Sequence, residues 1–293
     1  MSAEDVRVFA PAKINLFLHV GARRPDGYHD LESLVAFADT GDELSFHRAK
    51  EFSLALGGPF AGELPADDTN LVLRAARTLS SSTGLNVAAR ILLKKNLPVS
   101  SGLGGGSADA AATLRGLVRL WGARVSASAL QTIAATLGSD VPVCLASSPS
   151  WMDGRGELIS PAPDLPQTWV VLVNPRIAVS TSAVFAALKD RTGVGGPKTM
   201  GWKTQSALVD FLKRQVNDLE PPARLAVPAI GEALNALTST EGALLARMSG
   251  SGATCFGLFG EESEAAAAAA RLSESHPQWW VKATLLAPLR PGQ

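Results

Sequence analysis

The segment Leu97-Pro98-Val99-Ser100-Ser101-Gly102-Leu103-Gly104-Gly105-Gly106-Ser107 constrains this chain more than any other part of it. Four of the five positions from Gly102 to Gly106 lack a Cβ. Backbone N–H groups there can approach a ligand closely and adopt left-handed conformations. A helical pattern follows directly, over residues 108–120, with Leu114, Leu117, Val118 and Trp121 at helical spacing. A glycine-rich turn feeding a helix N-terminus is a ready anion site, because free N–H donors and the helix dipole both favour phosphate. Ser107 brings a hydroxyl to the helix start, suited to a phosphate, a metal ion or an N-cap. Two other phosphate motifs fail. No lysine follows Gly106 as a Walker loop requires, and Ser107 or Asp109 stands where a dinucleotide fingerprint needs its third glycine. A flexible linker would not carry so periodic a helix on its shoulder.

Composition narrows the ligand. Lys plus Arg equals Asp plus Glu at 27 each among 293 residues, so no overall charge favours nucleic acid or an anionic membrane, and a small molecule fits better than a polymer. Hydrophobic residues at 46% allow a sizeable core. Cys144 and Cys255 lie far apart among apolar residues, without the spacing of a zinc site or redox pair, and read as buried free thiols. The N-terminus is acidic, lacking the basic-then-apolar pattern of a leader, and no apolar run approaches the ~20 residues that span a membrane. The expectation is a cytoplasmic protein, monomeric or weakly dimeric, without nucleic-acid or membrane partners.

Three prolines in residues 160–166 mark a junction, which places a boundary between two α+β domains, residues 1–162 and 163–293. In the first, Ile14, Leu16, Leu18 and Val20 alternate strictly and predict a half-buried strand over 14–20. Asn15, Phe17 and His19 occupy its other face, with Lys13 just before. Residues 31–46 read as further strand after the Pro25-Asp26-Gly27 turn. Helices are expected around Val72–Leu79 and Leu130–Leu137, the latter stopped by Gly138. In the second, strands are expected at 169–173, 242–248, 254–259 and 279–286, and helices at 181–188 and 261–275.

Phosphoryl transfer to an alcohol needs positioning, charge neutralisation and a group to take the hydroxyl proton. Asp140, in Gly138-Ser139-Asp140-Val141-Pro142, is the leading candidate, although an Asp after Gly-Ser also suits a plain turn. Lys13 gains weight because Asn15 lies on the same strand face and neither suits a core. A lysine beside Asp140 would steady the carboxylate and the developing alkoxide. Ser249-Gly250-Ser251-Gly252 joins two predicted strands as a tight hairpin. Asn217-Asp218-Leu219-Glu220 reads as a helix terminus, with no chemistry assigned from first principles.

Together, residues 98–108, Lys13 and the 249–252 cluster resemble the GHMP kinase superfamily, which includes galactokinases and homoserine, mevalonate and phosphomevalonate kinases. Three motifs in the family's order cover most of the chain. Pro11-Ala12-Lys13-Ile14-Asn15-Leu16, Asp26-Gly27-Tyr28-His29, residues 138–142 and residues 217–220 resemble the branch acting on a diphosphocytidyl alcohol in non-mevalonate isoprenoid synthesis. The resemblance implies an N-terminal ribosomal-protein-S5-like α+β domain and a C-terminal ferredoxin-like α+β domain, with ATP and Mg²⁺ as cofactors. It implies Lys13 and Asp140 as the catalytic pair acting on a tertiary hydroxyl of a methylerythritol moiety. ATP would be held by Pro98, Val99, Ser100, Ser101, Gly102, Leu103, Gly104, Gly105, Gly106, Ser107 and Ala108, with Asn70 near the adenine. On the acceptor side, Tyr28 and Phe185 would sandwich the cytosine, His29 would bond its edge, Thr181 would lie beside the methylerythritol part, and Asn15 would assist. A base stacked on aromatics is sequence-tolerant recognition worth about 1–3 kcal/mol. Two departures stand out: Ser107-Ala108 replaces the family's usual Ser-Ser, and Ser100-Ser101 replaces smaller residues before the Gly-Leu-Gly core. No acidic residue matches a magnesium ligand. Rival readings are another GHMP kinase, with no base to sandwich, a non-catalytic ligand-sensing relative, and an RNA-binding domain, which lacks a basic face.

Overall fold

The computed structural model describes residues 5–85, 87–196 and 198–286; residues 1–4 of the acidic N-terminus lie outside the described residues. Strands β1 (Val6–Asn15), β2 (His19–Arg23), β3 (His29–Ala49) and β4 (Ser53–Gly57) open the chain. Then follow α1 (Leu71–Thr83), β5 (Ala88–Lys94), α2 (Gly105–Trp121), α3 (Ala127–Leu137), α4 (Val141–Ala146), β6 (Ser150–Gly154) and β7 (Leu158–Pro161). The proline-rich residues 160–166 lead into β8 (Thr168–Asn174) and α5 (Thr181–Ala186). The chain ends with α6 (Gln205–Lys213), α7 (Glu220–Ala226), α8 (Pro228–Thr238), β9 (Leu245–Met248), β10 (Cys255–Phe259), α9 (Glu262–Ser275) and β11 (Trp280–Leu286).

The long strand β3 is the spine of this mixed α+β structure. Its centre, Leu34–Ala38, is buried on both faces, as a continuous apolar run demands. One edge carries β1 and then β2; the other carries β6, a single pairing of Ala38 with Leu286 of β11, and β5. Through β11 the sheet continues into β8, β10 and β9. Side chains alternate across it, so each face has its own core. Val35, Phe37, Val171, Val173, Cys255 and Phe259 meet one layer of helices, through residues such as Leu79, Leu114, Ile133, Leu234 and Ala268. Leu34, Ala36, Val170, Leu172, Phe256 and Leu258 meet Leu208, Val209 and Leu212 of α6 on the other face.

The strand expected over 14–20 is interrupted. Asn15 pairs with Val35 and His19 with Glu32, but between them Leu18 leaves β3 to bond residues 216–218, accepting from Asp218 N at 2.9 Å and donating to Val216 O at 3.0 Å. The four alternating residues therefore serve two cores, Ile14 and Leu16 on one face, Leu18 and Val20 on the other. Nor is the strand half-buried, since Lys13, Asn15, Phe17 and His19 are buried too. Helix α2 begins three residues before the expected start, at Gly105, with Gly104 as N-cap. The strand expected from 242 starts at Leu245, because Ala243 N still closes a turn onto Thr240 O. The helix expected to reach 188 ends at Ala186. Both thiols are buried, which pushes their pKa values up. Among the described residues no helix is long and apolar enough to cross a membrane.

A buried ionic triad ties β3, β5 and α2 together. Lys95 Nζ lies 2.6 Å from Asp42 Oδ2 and 2.6 Å from Asp109 Oδ2. Asp42 Oδ1 also accepts from Asn96 N at 2.6 Å and Leu97 N at 2.9 Å, the backbone leading into the glycine loop. Burial alone would lower Lys95, but Asp109 and Asp42 outweigh it and hold the ammonium above its usual range. Burial raises Asp109 from 3.8 to about 8 against the pull of Lys95, because one ammonium does not neutralise two dry carboxylates. The folded state thus holds a proton that the unfolded chain has released. This contribution to stability is complete below 3.8 and lost as pH rises to about 8. Denaturant titrations across that window should show wild-type stability declining relative to Asp109→Asn by about 1 kcal/mol or more, since a tenfold change in a proton-binding constant corresponds to about 1.4 kcal/mol. Parallel curves would contradict the assignment.

Candidate active site

The sheet, the start of α2 and the β9–β10 turn enclose an open cleft of about 1440 Å³. That exceeds the 300–1,000 Å³ of a usual single-ligand pocket and leaves room for two substrates. The glycine loop forms one wall, and its carbonyls are turned into the protein. Leu103 O accepts from Lys13 N at 2.9 Å, Ser101 O from Thr254 N at 3.0 Å, and Gly102 O from the Ser249 hydroxyl at 2.9 Å. The first backbone donor used inside α2 is Ala108 N, bonded to Gly104 O at 2.8 Å. The N–H groups of Gly105, Gly106 and Ser107 precede it, and all three residues line the cleft. This is a set of parallel donors at the positive end of a 17-residue helix.

Gly104 sits where the loop meets the catalytic candidates. Its φ of +61° is left-handed, and a Cβ there would lie 3.0 Å from Lys13 Cε and 3.8 Å from Asp140 Oδ2. A side chain would both strain the turn and push on Lys13. Lys13, on β1, is 4% exposed and its Nζ lies 3.0 Å from Asp140 Oδ2. Asn15 holds the same nitrogen through Oδ1 at 2.7 Å and is itself held by Ser33 Oγ at 2.8 Å. Asp140 stands two residues past Gly138, the C-cap of α3, at the N-cap of α4, and is one-third exposed to the cleft. The structure therefore brings together two residues 127 positions apart, which spacing alone did not connect.

The other expected site residues divide. Pro98, Val99, Ser100, Ser101, Gly102 and Ser107 line the cleft with the loop glycines. Leu103 and Ala108 belong to the two cores, so their side chains serve packing. Ser107 lies inside the first turn of α2 and is not its cap. Asn70 lines the cleft, but its amide is committed to capping α1, accepting from Val72 N at 2.9 Å and donating to Pro65 O at 2.8 Å. Asn15 is likewise spent on Lys13 and Ser33. At the far end, Tyr28 is 55% exposed, and the Arg155 guanidinium lies 5.1 Å from its ring centre. His29 stacks on Phe185, with centroids 5.7 Å apart and planes 24° off parallel. Its Nδ1 donates to Gly21 O at 3.2 Å, which leaves Nε2 as the free ring nitrogen. Phe185 lines the cleft while its ring also packs against the core; Thr181 lines it too and shares a 2.8 Å hydrogen bond with Ser251.

Sequence reading missed the supports. Asn217 Nδ2 donates to Met248 O and Gly250 O, both at 2.8 Å. Asp218 Oδ2 accepts from Val20 N at 2.7 Å and Thr192 N at 2.9 Å. The segment without assigned chemistry thus clamps the 249–252 turn, β2 and the 192 loop. That turn in turn braces the glycine loop, since Ser249 Oγ also accepts from Asn15 N at 3.1 Å. Lys95 escaped notice because a lone lysine reads as surface.

Two family models match the chain: the GHMP kinases N terminal domain over residues 70–148 and the GHMP kinases C terminal over residues 204–278. The 4-diphosphocytidyl-2-C-methyl-D-erythritol kinase of Paramagnetospirillum magneticum is 51% identical over 93% of this chain and 95% of its own length. That of Rhodospirillum rubrum is 49% identical over 97% of this chain and 94% of its own. A crystal structure of 4-(cytidine 5'-diphospho)-2C-methyl-D-erythritol kinase superposes with a TM-score of 0.78 at 34% identity, covering 96% of this chain and 99% of that one. Homoserine kinase from Cytophaga hutchinsonii, at 18% identity and a TM-score of 0.74 over 100% of this chain and 97% of its own, shares the fold. The chain belongs to the GHMP kinase family, and within it to the 4-diphosphocytidyl-2-C-methyl-D-erythritol kinases.

Proposed function

We propose that this protein transfers the γ-phosphoryl group of ATP to the 2-hydroxyl of 4-diphosphocytidyl-2-C-methyl-D-erythritol, giving the 2-phosphate, in non-mevalonate isoprenoid synthesis. The contact of Lys13 with Asp140 beside the open N-terminus of α2 carries this reading. The donors of Gly105, Gly106 and Ser107 take the ATP phosphates, with Pro98, Val99, Ser100, Ser101 and Gly102 walling the nucleotide and Asn70 fixing the start of α1 beside it. Asp140 accepts the hydroxyl proton as the phosphoryl group arrives. Lys13, held by Asn15, steadies Asp140 and the developing oxyanion.

The acceptor's cytosine enters between Tyr28 and Phe185, moving the His29 ring off Phe185. The free Nε2 of His29 then meets the edge of the base, and Thr181 contacts the methylerythritol part. Among the described residues no group of three or more His, Cys, Asp or Glu side chains could hold a metal. A magnesium ion would therefore arrive with ATP. Ser107 would hold it there, and the ion would neutralise phosphate charge. The two family matches fall on either side of residues 160–166, which supports units of 1–162 and 163–293 flanking the cleft. A monomer or weak homodimer belongs to the same proposal.

Side-by-side assays with labelled ATP and diphosphocytidyl-methylerythritol, homoserine or mevalonate should give turnover with the first alone; turnover with either of the others would overturn the reading. Asp140→Asn should lower kcat by about 10²–10⁴-fold while ATP still binds, and near-normal turnover would remove Asp140 from its role. Tyr28→Ala should raise KM for the cytidylyl substrate about tenfold or more, at 1–3 kcal/mol per stacked base, and an unchanged KM would remove the stacking.

A further inference from the structure

Seven lysine, arginine and aspartate side chains line the cleft: Lys13, Arg23, Lys95, Arg155 and Arg191 against Asp109 and Asp140. Lys13 is matched by Asp140, and Lys95 by the buried pair Asp42 and Asp109. Three arginines remain, in a chain whose charges sum to zero. Arg23 donates to Gly27 O at 3.2 Å and has no carboxylate partner among the described residues; Arg191 has none either. Arg155 has only Glu157, at 3.6 Å. The neighbouring Arg24, by contrast, is tied to Asp26 at 3.5 Å and Asp30 at 2.9 Å and does not line the cleft.

The three come from separate segments that line the same cleft. Arg23 ends β2 and Arg155 follows β6, strands on opposite edges of the first residues of β3. The loop of Arg191 is fastened beside β2, with Gly193 N donating to Val20 O at 3.3 Å. Arg155 lies at Tyr28, and its chain neighbour packs toward Asp140. Its guanidinium covers Tyr28, while the adjoining Gly156 packs so that its Cβ position lies 3.5 Å from Ser139 Cβ, next to Asp140.

We propose that Arg23, Arg155 and Arg191 form a clamp for the diphosphate bridge of the acceptor, a proposal that rests on the function given above. An acceptor with its base at Tyr28 and its hydroxyl at Asp140 must lay its diphosphate between them, along Arg155. The bridge carries two negative charges, and guanidinium forks match phosphate oxygens. ATP does not compete for these arginines, since its phosphates are taken by the backbone donors of the glycine loop. The clamp also selects, because an alcohol without a diphosphate would leave three like charges facing one another.

The test compares wild type with Arg155→Gln and with Arg23→Gln/Arg155→Gln/Arg191→Gln. The KM for diphosphocytidyl-methylerythritol should rise about tenfold in the single variant and about 100-fold in the triple, with kcat and the KM for ATP within about threefold. Inhibition by cytidine 5'-diphosphate should weaken in step, while inhibition by cytidine stays within about threefold. Added salt should raise the wild-type KM more than that of the triple variant. The triple variant Arg23→Lys/Arg155→Lys/Arg191→Lys keeps the charge without the forks, so its KM should fall between those of wild type and the glutamine triple variant. An unchanged KM, or equal losses for cytidine and its diphosphate, would overturn the clamp. Should the triple variant not fold, Arg191→Gln, at an exposed position, decides by the same comparison. Wild type that fails to turn over the substrate would sink the proposed function instead, while calorimetry of the two cytidine ligands would still test the clamp.

Discussion

Lys13 is a lysine taken almost wholly out of water and fixed 3.0 Å from a carboxylate that still faces the cleft. An ammonium so placed is costly unless its donors are matched, and the surrounding structure supplies the match. Asn15 Oδ1 takes one bond, Asp140 another, and the lysine's own N–H is tied to the glycine loop at Leu103. Gly104 leaves room for the side chain to pass. Removing Asn15 or Asp140 leaves a buried charge short of a partner, and moving the loop shifts the strand that carries it, so strand, loop and helix cap depend on one another.

That unit is braced from both halves of the chain. From the N-terminal half, Asp42 holds the approach to the loop through Asn96 and Leu97 and shares Lys95 with Asp109. From the other half, Ser249 bonds both Asn15 and Gly102, and Asn217 holds the turn that carries Ser249. Preorganisation of this kind lets backbone donors and an ammonium stabilise developing charge without reorganising. In the proposed reaction it would also separate the tasks in the cleft, with the phosphate donor against backbone and the acceptor among side chains.

Much of this was readable from residue order. The helices around Leu79, Leu114 and Leu137 follow from their spacing, and the loop's chemistry follows from missing Cβ atoms beside a helix start. The interruption between Asn15 and His19 did not, because the partner that draws Leu18 away lies about 200 residues later; alternation reports burial and not which neighbour a backbone bonds. Asn217 and Asp218 looked inert for the same reason, since their partners are the distant Met248, Gly250, Val20 and Thr192. Lys95 and Asp109 looked like surface charges because nothing local reveals that two carboxylates and an ammonium converge. Asp140 and Lys13 stood out by residue type and neighbours, Tyr28 and Phe185 only through motif resemblance, and only the fold shows the first two in contact and the others in the same cleft.

The central claim is that Lys13 and Asp140 act as one device, and a double-mutant cycle on turnover measures it directly. With Lys13→Met, Asp140→Asn and the double variant assayed for kcat at saturating ATP and acceptor, the double variant should be within about tenfold of the worse single variant, because groups acting as a unit are lost together. Losses that multiply, so that the double variant falls by the product of the two singles, would show that the residues work independently and would contradict the account.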